Sequence, residues 1–205
     1  MLPYLLAALV CAGFLWLGYG LWQISAVSSG DPIPERPSTA LLMIDLQTVF
    51  WDGGAYSDAR KSAAQAAILR EVDAAKSAGH PVIEIRQEWS QPAPRSVARL
   101  FMKGQALPGS EGTEFAAPFS GLADHALVKR VQDGFETGAL DPLLAELDVG
   151  QLRIVGLDFN YCVLKTALAA RARGFAVTVV ADGTLAAGKT DKSKARLQAA
   201  GGGLA

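Results

Sequence analysis

The chain has 205 residues, and its 19 Lys and Arg residues against 20 Asp and Glu residues leave a formal net charge of −1. That balance argues against a nucleic-acid-binding protein, which carries a basic excess or stripe. The two cysteines cannot form a disulfide scaffold, and the two histidines, His80 and His125, offer little for a zinc site. The length suits one α/β domain with a sizeable core.

The amino-terminal segment is unusual because residues 1–30 contain no Asp, Glu, Lys, Arg or His. Residues 2–22 form an apolar run long enough for one helical bilayer span, with aromatic residues clustered towards one end. Two alternatives stay open, a cleaved signal peptide with a modest cleavage site at 26–28 and a buried core helix. We predict a transmembrane anchor over 1–24, a Ser- and Pro-rich linker over 25–38 and a folded domain over 39–205.

The orientation of this anchor depends on few charges. Arg36 is the nearest basic residue and follows the apolar run, so the positive-inside rule favours a cytoplasmic location for the folded domain. The membrane is therefore an expected partner through residues 2–22, and Cys11 within the run is expected to face lipid.

The rest of the chain alternates apolar runs with helical patterns. The patterns predict strands over 40–45, 81–86, 126–130, 152–157 and 176–181, and helices over 57–79, 95–103, 140–147, 161–174 and 190–200. This order indicates a Rossmann-like three-layer α/β/α fold with a mostly parallel sheet. Ligands bind such sheets at the carboxyl ends of the strands, so we expect the long excursion over 91–124 to border the site. The terminal GGGLA is predicted to be a frayed end.

Three residues with chemical potential lie at or just beyond the carboxyl ends of predicted strands: Asp45, Lys129 and Cys162. Each has an ordinary structural explanation as well. Asp45 could cap a turn, Lys129 could be a solvated strand end, and Cys162 could be a small buried apolar side chain.

Together the three residues form a coherent set for nucleophilic catalysis. Cys162 lies at the start of a predicted helix, where unpaired N–H groups and the macrodipole stabilise a thiolate and lower the thiol pKa. Asp45 could accept the thiol proton and later deliver it to a leaving amine. Lys129 would keep the Asp45 carboxylate ionised.

Three sequence blocks carry a family resemblance. They are LLMIDLQTVF at 41–50, VKRVQDGFETGAL at 128–140 and IVGLDFNYCVLKTA at 154–167. These blocks resemble the isochorismatase-like cysteine hydrolases, the superfamily that includes nicotinamidases and N-carbamoyl amidases. The resemblance implies Asp45 as base, Lys129 as its partner and Cys162 as nucleophile in the hydrolysis of a small amide or carbamoyl C–N bond. It also implies self-association into a homo-oligomer.

The resemblance extends to the loop before the nucleophile. It implies a cis peptide bond between Leu157 and Asp158, with the backbone N–H groups of Asp158 and Cys162 forming an oxyanion hole. Candidate pocket residues are Gln47, Phe50, Trp51, Arg86, Phe135 and Tyr161. Among them, Arg86 would suit a substrate carboxylate because its guanidinium can pair with one bidentately.

The sequence also departs from family patterns. Nicotinamidases bind a metal through Asp-x-His after the second strand, whereas residues 86–90 here read RQEWS. We therefore expect no metal and no cofactor. True isochorismatases lack the nucleophilic cysteine, so Cys162 disfavours vinyl-ether hydrolysis. Relatives usually carry a small residue and then Thr where this chain has Asp158 and Phe159.

Two other classes of function stay open. The first is a membrane-tethered, catalytically inactive binding protein on the same fold. The second is a thiol redox sensor, which would need a resolving partner for Cys162. The intact set of Asp45, Lys129 and Cys162 favours the hydrolase over both.

Overall fold

The computed structural model describes residues 1–205 and contains one six-stranded sheet in which every neighbouring pair is parallel. Its strands are β1 Ser38–Ile44, β2 Val82–Gln87, β3 His125–Lys129, β4 Val149–Gly156, β5 Ala176–Thr184 and β6 Gly203–Leu204. The strand order across the sheet is β3-β2-β1-β4-β5-β6. The helices are α1 Leu2–Ser25, α2 Thr48–Trp51, α3 Asp58–Ser77, α4 Pro92–Phe101, α5 Leu140–Glu146, α6 Leu164–Ala172 and α7 Asp191–Ala199.

The sheet is covered on both faces, which explains why its central strands are almost entirely apolar. In β1, Leu42 and Ile44 pack into the core beneath α5, α6 and α7, and Leu41 and Met43 pack into the core beneath α3. This arrangement confirms the predicted three-layer α/β fold with a parallel sheet.

The five predicted strands are all present, but the prediction for residues 201–205 was wrong. Gly203–Leu204 pairs with β5 as an edge strand, and the Ala205 N–H donates to the Val179 carbonyl at 3.1 Å. Backbone pairing alone produces this strand, because a Gly-rich segment offers no side-chain pattern to indicate it.

Helix α1 is 24 residues long and apolar enough to cross a membrane by length and composition. Most of its residues are exposed, and only Gly20 and Ile24 are buried, near its carboxyl end. There it packs on α4: a Cβ on Gly20 would lie 2.7 Å from the Ala93 carbonyl oxygen, and Trp16 Nε1 donates to Ser96 Oγ at 3.2 Å.

Residues 26–37 lie within the predicted linker over 25–38; they form no helix or strand and are docked on the folded domain. The buried Arg173 guanidinium donates to the backbone carbonyls of Ser28 and Ser29, each at 3.1 Å. The Ser28 N–H donates to the buried Asp133 carboxylate at 2.7 Å. The end of α1 is therefore held against the domain.

Candidate active site

Four neighbouring strands deliver the candidate catalytic groups to one edge of the sheet. Lys129 ends β3, Gln87 ends β2, Asp45 directly follows β1, and Cys162 follows β4 after a short loop. The strands lie in the order β3-β2-β1-β4, so their carboxyl ends meet and these side chains converge.

The structure places Asp45, Lys129 and Cys162 in direct contact. Lys129 Nζ lies 2.9 Å from Asp45 Oδ2 and 3.3 Å from Cys162 Sγ. The ammonium also donates to the Gln87 Oε1 and to the Val131 carbonyl. Lys129 is fully buried, so these acceptors replace water around its charge. Asp45 Oδ1 is buried with no hydrogen-bond partner, which leaves one carboxylate oxygen free to accept a proton.

The backbone at Asp45 is strained. Its φ of +52° lies in the left-handed region, which costs a non-glycine residue on the order of 1–2 kcal/mol. The Asp45 N–H donates to the Ile85 carbonyl of β2 at 2.9 Å, which fixes this turn of the chain. On the other side, Gly156 is required because a Cβ there would overlap the Ile44 carbonyl oxygen. The strand ends therefore hold Asp45 tightly in position.

Cys162 lies in a single π-helical turn, Phe159–Val163, and not in the first turn of an α-helix as predicted, since α6 begins at Leu164. The Asp158 side chain caps this turn: one carboxylate oxygen accepts the Asn160 N–H at 2.8 Å, and the other accepts the Ala187 N–H at 2.6 Å. π-Helical turns are often found at functional sites.

The predicted cis bond between Leu157 and Asp158 is wrong, because no peptide bond in the structure is cis. The trans form of a non-proline bond is favoured by about 3 kcal/mol, and the capped turn brings Cys162 to Lys129 without isomerisation. The oxyanion hole formed by the Asp158 and Cys162 N–H groups stays a prediction.

Burial sets the electrostatics of the site. It raises the pKa of the Asp45 carboxyl above its usual value, although Lys129 and Cys162 oppose the change. Burial also raises the pKa of the Cys162 thiol, and the Asp45 charge raises it further, against the lowering effect of Lys129. The resting group is therefore a thiol, contrary to the expected depressed pKa. Burial alone would lower the pKa of Lys129, but Asp45 and Cys162 outweigh it and the pKa is raised.

A cavity of about 180 Å³ opens beside Cys162. Asp45, Gln87 and Cys162 line the end of the cavity where the candidate catalytic groups lie. Two of the candidate pocket residues, Phe50 and Tyr161, also line it. Its other walls come from Val49, Gly53, Gly54, Tyr56, Trp89, Gln105, Leu157 and Asp158. The Tyr56 hydroxyl donates to Asp158 Oδ2 at 3.2 Å. Burial and the neighbouring Asp158 charge raise the pKa of Tyr56, so its hydroxyl keeps its proton and stays a donor to Asp158.

Four of the six predicted pocket residues lie outside the lining of this cavity. Gln47 is buried and holds the β2 terminus by accepting the Gln87 N–H at 2.6 Å. Trp51 packs edge-on against Phe119 in the core, and Phe135 packs against Phe175 and the Arg173 guanidinium. Arg86 is half-exposed and pairs with Glu88 at 3.1 Å.

Sequence reasoning missed Gln87, Tyr56, Trp89 and the Asp158 side chain as parts of the site. The alternation of β2 could have identified Gln87. It places Gln87 on the face opposite the half-exposed Arg86, at the same strand end as Asp45 and Lys129.

The residues present do not fit the catalytic metal that nicotinamidases bind. No group of three or more His, Cys, Asp and Glu side chains in the structure could hold a metal ion. Glu88 is paired with Arg86, Trp89 is a cavity wall, and Ser90 is exposed. His80 and His125 lie at the amino ends of β2 and β3, at the opposite edge of the sheet.

Comparison with known proteins is consistent with this geometry. A family model described as the isochorismatase domain matches residues 39–203. The chain belongs to this family. The predicted superfamily resemblance is therefore confirmed.

Among curated proteins, the chain is similar to the nicotinamidase of Escherichia coli K12. The two are 28% identical over 178 residues, which cover 72% of this chain and 83% of that protein.

Among solved structures, the zinc complex of the Pyrococcus horikoshii pyrazinamidase has a TM-score of 0.67 at 21% identity, covering 82% of this chain and 99% of that one. The Thermoplasma acidophilum N-carbamoylsarcosine amidase has a TM-score of 0.70 at 20% identity, covering 82% of this chain and 95% of that one. At these identities, the likeness shows the fold of the isochorismatase family.

Proposed function

We propose that the protein is a metal-independent cysteine hydrolase that cleaves a small amide or carbamoyl C–N bond through a thioester on Cys162. The observation that carries the proposal is the buried contact of Lys129 Nζ with both Asp45 Oδ2 and Cys162 Sγ. Family membership and the likeness to a nicotinamidase and an N-carbamoylsarcosine amidase support a hydrolase of C–N bonds other than peptide bonds.

The first half-reaction forms the covalent intermediate. The Asp45 carboxylate accepts the thiol proton, and the Cys162 sulfur attacks the carbonyl carbon, so a C–S bond forms as the carbonyl π electrons move to oxygen. The N–H groups of Asp158 and Cys162 are the proposed donors to this oxyanion. Asp45 then returns the proton to the leaving nitrogen as the C–N bond breaks, which releases ammonia or an amine.

The second half-reaction regenerates the enzyme. Water attacks the thioester carbon while Asp45 accepts one of its protons, and collapse of the oxyanion breaks the C–S bond. The departing sulfur takes the proton from Asp45, which restores the thiol and the carboxylate. Lys129 keeps its proton throughout, because its raised pKa and its three oxygen acceptors, on Asp45, Gln87 and Val131, favour the ammonium form.

The cavity limits the substrate to a small molecule. Its volume of about 180 Å³ suits one ring or a short chain with the reacting carbonyl at Cys162. Phe50, Trp89 and Tyr161 offer apolar surface to such a group, and Gln105 offers an amide for hydrogen bonding.

The experiment is an ammonia-release assay with nicotinamide, pyrazinamide and N-carbamoylsarcosine as probes. We expect ammonia release from at least one probe and loss of that release in Cys162→Ala. The matched control Cys11→Ala should retain it fully, since Cys11 is exposed on α1 and distant in sequence from Cys162. Release that persists in Cys162→Ala would contradict the mechanism. No release from any probe would favour the alternative of a catalytically inactive binding protein.

We further propose that α1 anchors the protein in a membrane with the folded domain in the cytoplasm. Support comes from the charge-free stretch over 1–30, the largely exposed apolar surface of α1 and the basic Arg36 that follows it. The full chain should remain in the membrane pellet after alkaline carbonate extraction, and the folded domain should resist protease added outside intact cells. Release into the supernatant would contradict the anchor.

A further inference from the structure

The last two residues of helix α4, Leu100 and Phe101, present large apolar side chains to solvent. Leu100 is 65% exposed and Phe101 is 67% exposed, although the opposite side of the helix is buried through Ala93, Val97 and Ala98. Outside α1, no other pair of adjacent large apolar residues in the chain is this exposed. Adjacent exposed apolar side chains of this size are typical of a surface that contacts a partner or a membrane.

The charged residues close to this apolar pair in the sequence are all basic. Arg95, Arg99 and Lys103 are exposed beside it, and residues 89–110 contain no Asp or Glu. The whole chain carries a net charge of −1, so this basic stretch is a local feature. Exposed basic residues interleaved with Leu and Phe on one helix are typical of a segment that lies in the interface of an anionic bilayer.

The position of α4 supports the same partner. It packs against the carboxyl-terminal turns of α1 through the Trp16–Ser96 hydrogen bond and the buried Ile24. Trp16 and Gly20 lie in the aromatic-rich carboxyl end of the apolar run over 2–22, and Ile24 follows it. Aromatic residues at the end of a membrane span lie at the headgroup level, so a membrane spanned by that run would have its headgroup region beside α4.

The attachment between α1 and the domain is firm. Ile24 packs with Trp89, Val97 and Ala98, and Arg173 fixes the backbone of Ser28 and Ser29. The angle between the proposed span and α4 is therefore set by packing.

We propose that α4 and residues 102–103 form a second membrane contact, in which Leu100 and Phe101 enter the interface of an anionic bilayer while Arg95, Arg99 and Lys103 contact lipid phosphates. The proposal rests on the proposed membrane insertion of α1. Trp89 and Gln105, which flank this segment in the sequence, line the cavity, so the contact brings the cavity beside the lipid surface.

Spin labels on the full-length chain test this contact. In a Cys11→Ala, Cys162→Ala background, single cysteines are introduced as Leu100→Cys in α4, Leu9→Cys in α1 and Ala195→Cys on the exposed surface of α7. Each labelled chain is reconstituted into phosphatidylcholine vesicles with and without phosphatidylglycerol. Collisions with oxygen and with a water-soluble nickel chelate then report the depth of each label.

The expected result is a Leu100 label shielded from the chelate and accessible to oxygen, more so with phosphatidylglycerol, while the Ala195 label stays accessible to the chelate. Substituting Arg95, Arg99 and Lys103 with Gln should remove the dependence on phosphatidylglycerol. The matched control substitutes Gln for three exposed basic residues elsewhere, Arg60, Lys76 and Lys192. This control should retain the dependence of the Leu100 label on phosphatidylglycerol.

The outcomes separate the two proposals. A shielded Leu9 label with a Leu100 label as chelate-accessible as Ala195 would overturn the α4 contact and leave the anchor intact. A Leu9 label accessible to the chelate would overturn both membrane proposals without bearing on the hydrolase chemistry.

Discussion

Lys129 and Asp45 form a buried ion pair, with 2.9 Å between Nζ and Oδ2, although the strands that carry them are not neighbours. Strand β2 lies between β3 and β1, and its terminal Gln87 accepts a hydrogen bond from the same ammonium. The pair therefore requires β1, β2 and β3 to end side by side. Cys162, which follows β4, contacts the same ammonium.

The first prediction concerns the energetic coupling of this pair. Lys129→Met leaves a buried, unpaired carboxylate and should lower the free energy of unfolding by about 3–5 kcal/mol. The double variant Asp45→Asn, Lys129→Met removes both charges, and we expect it to recover a large part of that loss. Chemical denaturation of Asp45→Asn, Lys129→Met and the double variant gives the comparison, and a loss in the double variant equal to the sum of the two single losses would argue against a coupled pair.

The second prediction concerns pH. In the proposed mechanism Asp45 must be ionised to accept the thiol proton, and burial raises its pKa above the ordinary value of 3.8. Activity should therefore disappear, as pH falls, at a higher pH than an exposed aspartate would require. Lys129 adds no loss until above 10.5, because its pKa is raised. The dependence of kcat/KM on pH checks this, and an acid limb at or below 3.8 would contradict the assigned base.

The third prediction concerns metals. Residues 86–90 and the two histidines do not form a metal site, so dialysis against EDTA should leave kcat/KM unchanged. The matched control is the zinc-containing Pyrococcus horikoshii pyrazinamidase treated in the same way. Loss of activity on chelation, restored by zinc or iron, would show that this chain recruits a metal after all.

The fourth prediction concerns the docked segment over 26–37. Arg173→Met removes the donors that hold Ser28 and Ser29 and a 2.8 Å ion pair with Asp141, and should cost about 3 kcal/mol. Hydrogen exchange of residues 28–33 should accelerate as this segment detaches. In the control Arg70→Met, the lost pair with Asp182 is exposed, so its cost should stay below about 1 kcal/mol. Equal effects would mean that Arg173 does not hold the segment.

The sequence predicted those parts of the fold that have a strong local pattern. Five strands are short apolar runs bounded by turn residues, and their order indicates the parallel sheet without further information. Strand β6 has no such pattern, because it is stabilised by backbone pairing of Gly203 and Leu204 with β5. The docking of residues 26–37 depends on Arg173, which is distant in sequence, so composition alone predicted a linker and not its contacts.

The sequence predicted those site residues that lie at the carboxyl ends of neighbouring strands. Asp45, Lys129 and Cys162 meet because parallel strands align their carboxyl ends, whereas the pocket walls depend on which face each side chain takes. A difference of one position in β2 separates the half-exposed Arg86 from the buried Gln87. The thiol pKa was predicted in the wrong direction, because a helix terminus can be seen in the sequence and complete burial beside a carboxylate cannot.

The central claim is covalent catalysis by Cys162, and the most direct measurement is mass spectrometry of the chain acid-quenched during hydrolysis of the most active amide probe. We predict an acyl adduct on the peptide that contains Cys162. No adduct should form in Cys162→Ala, and its turnover should fall by a factor on the order of 10⁴ or more. An adduct on another residue, or undiminished turnover by Cys162→Ala, would contradict the account.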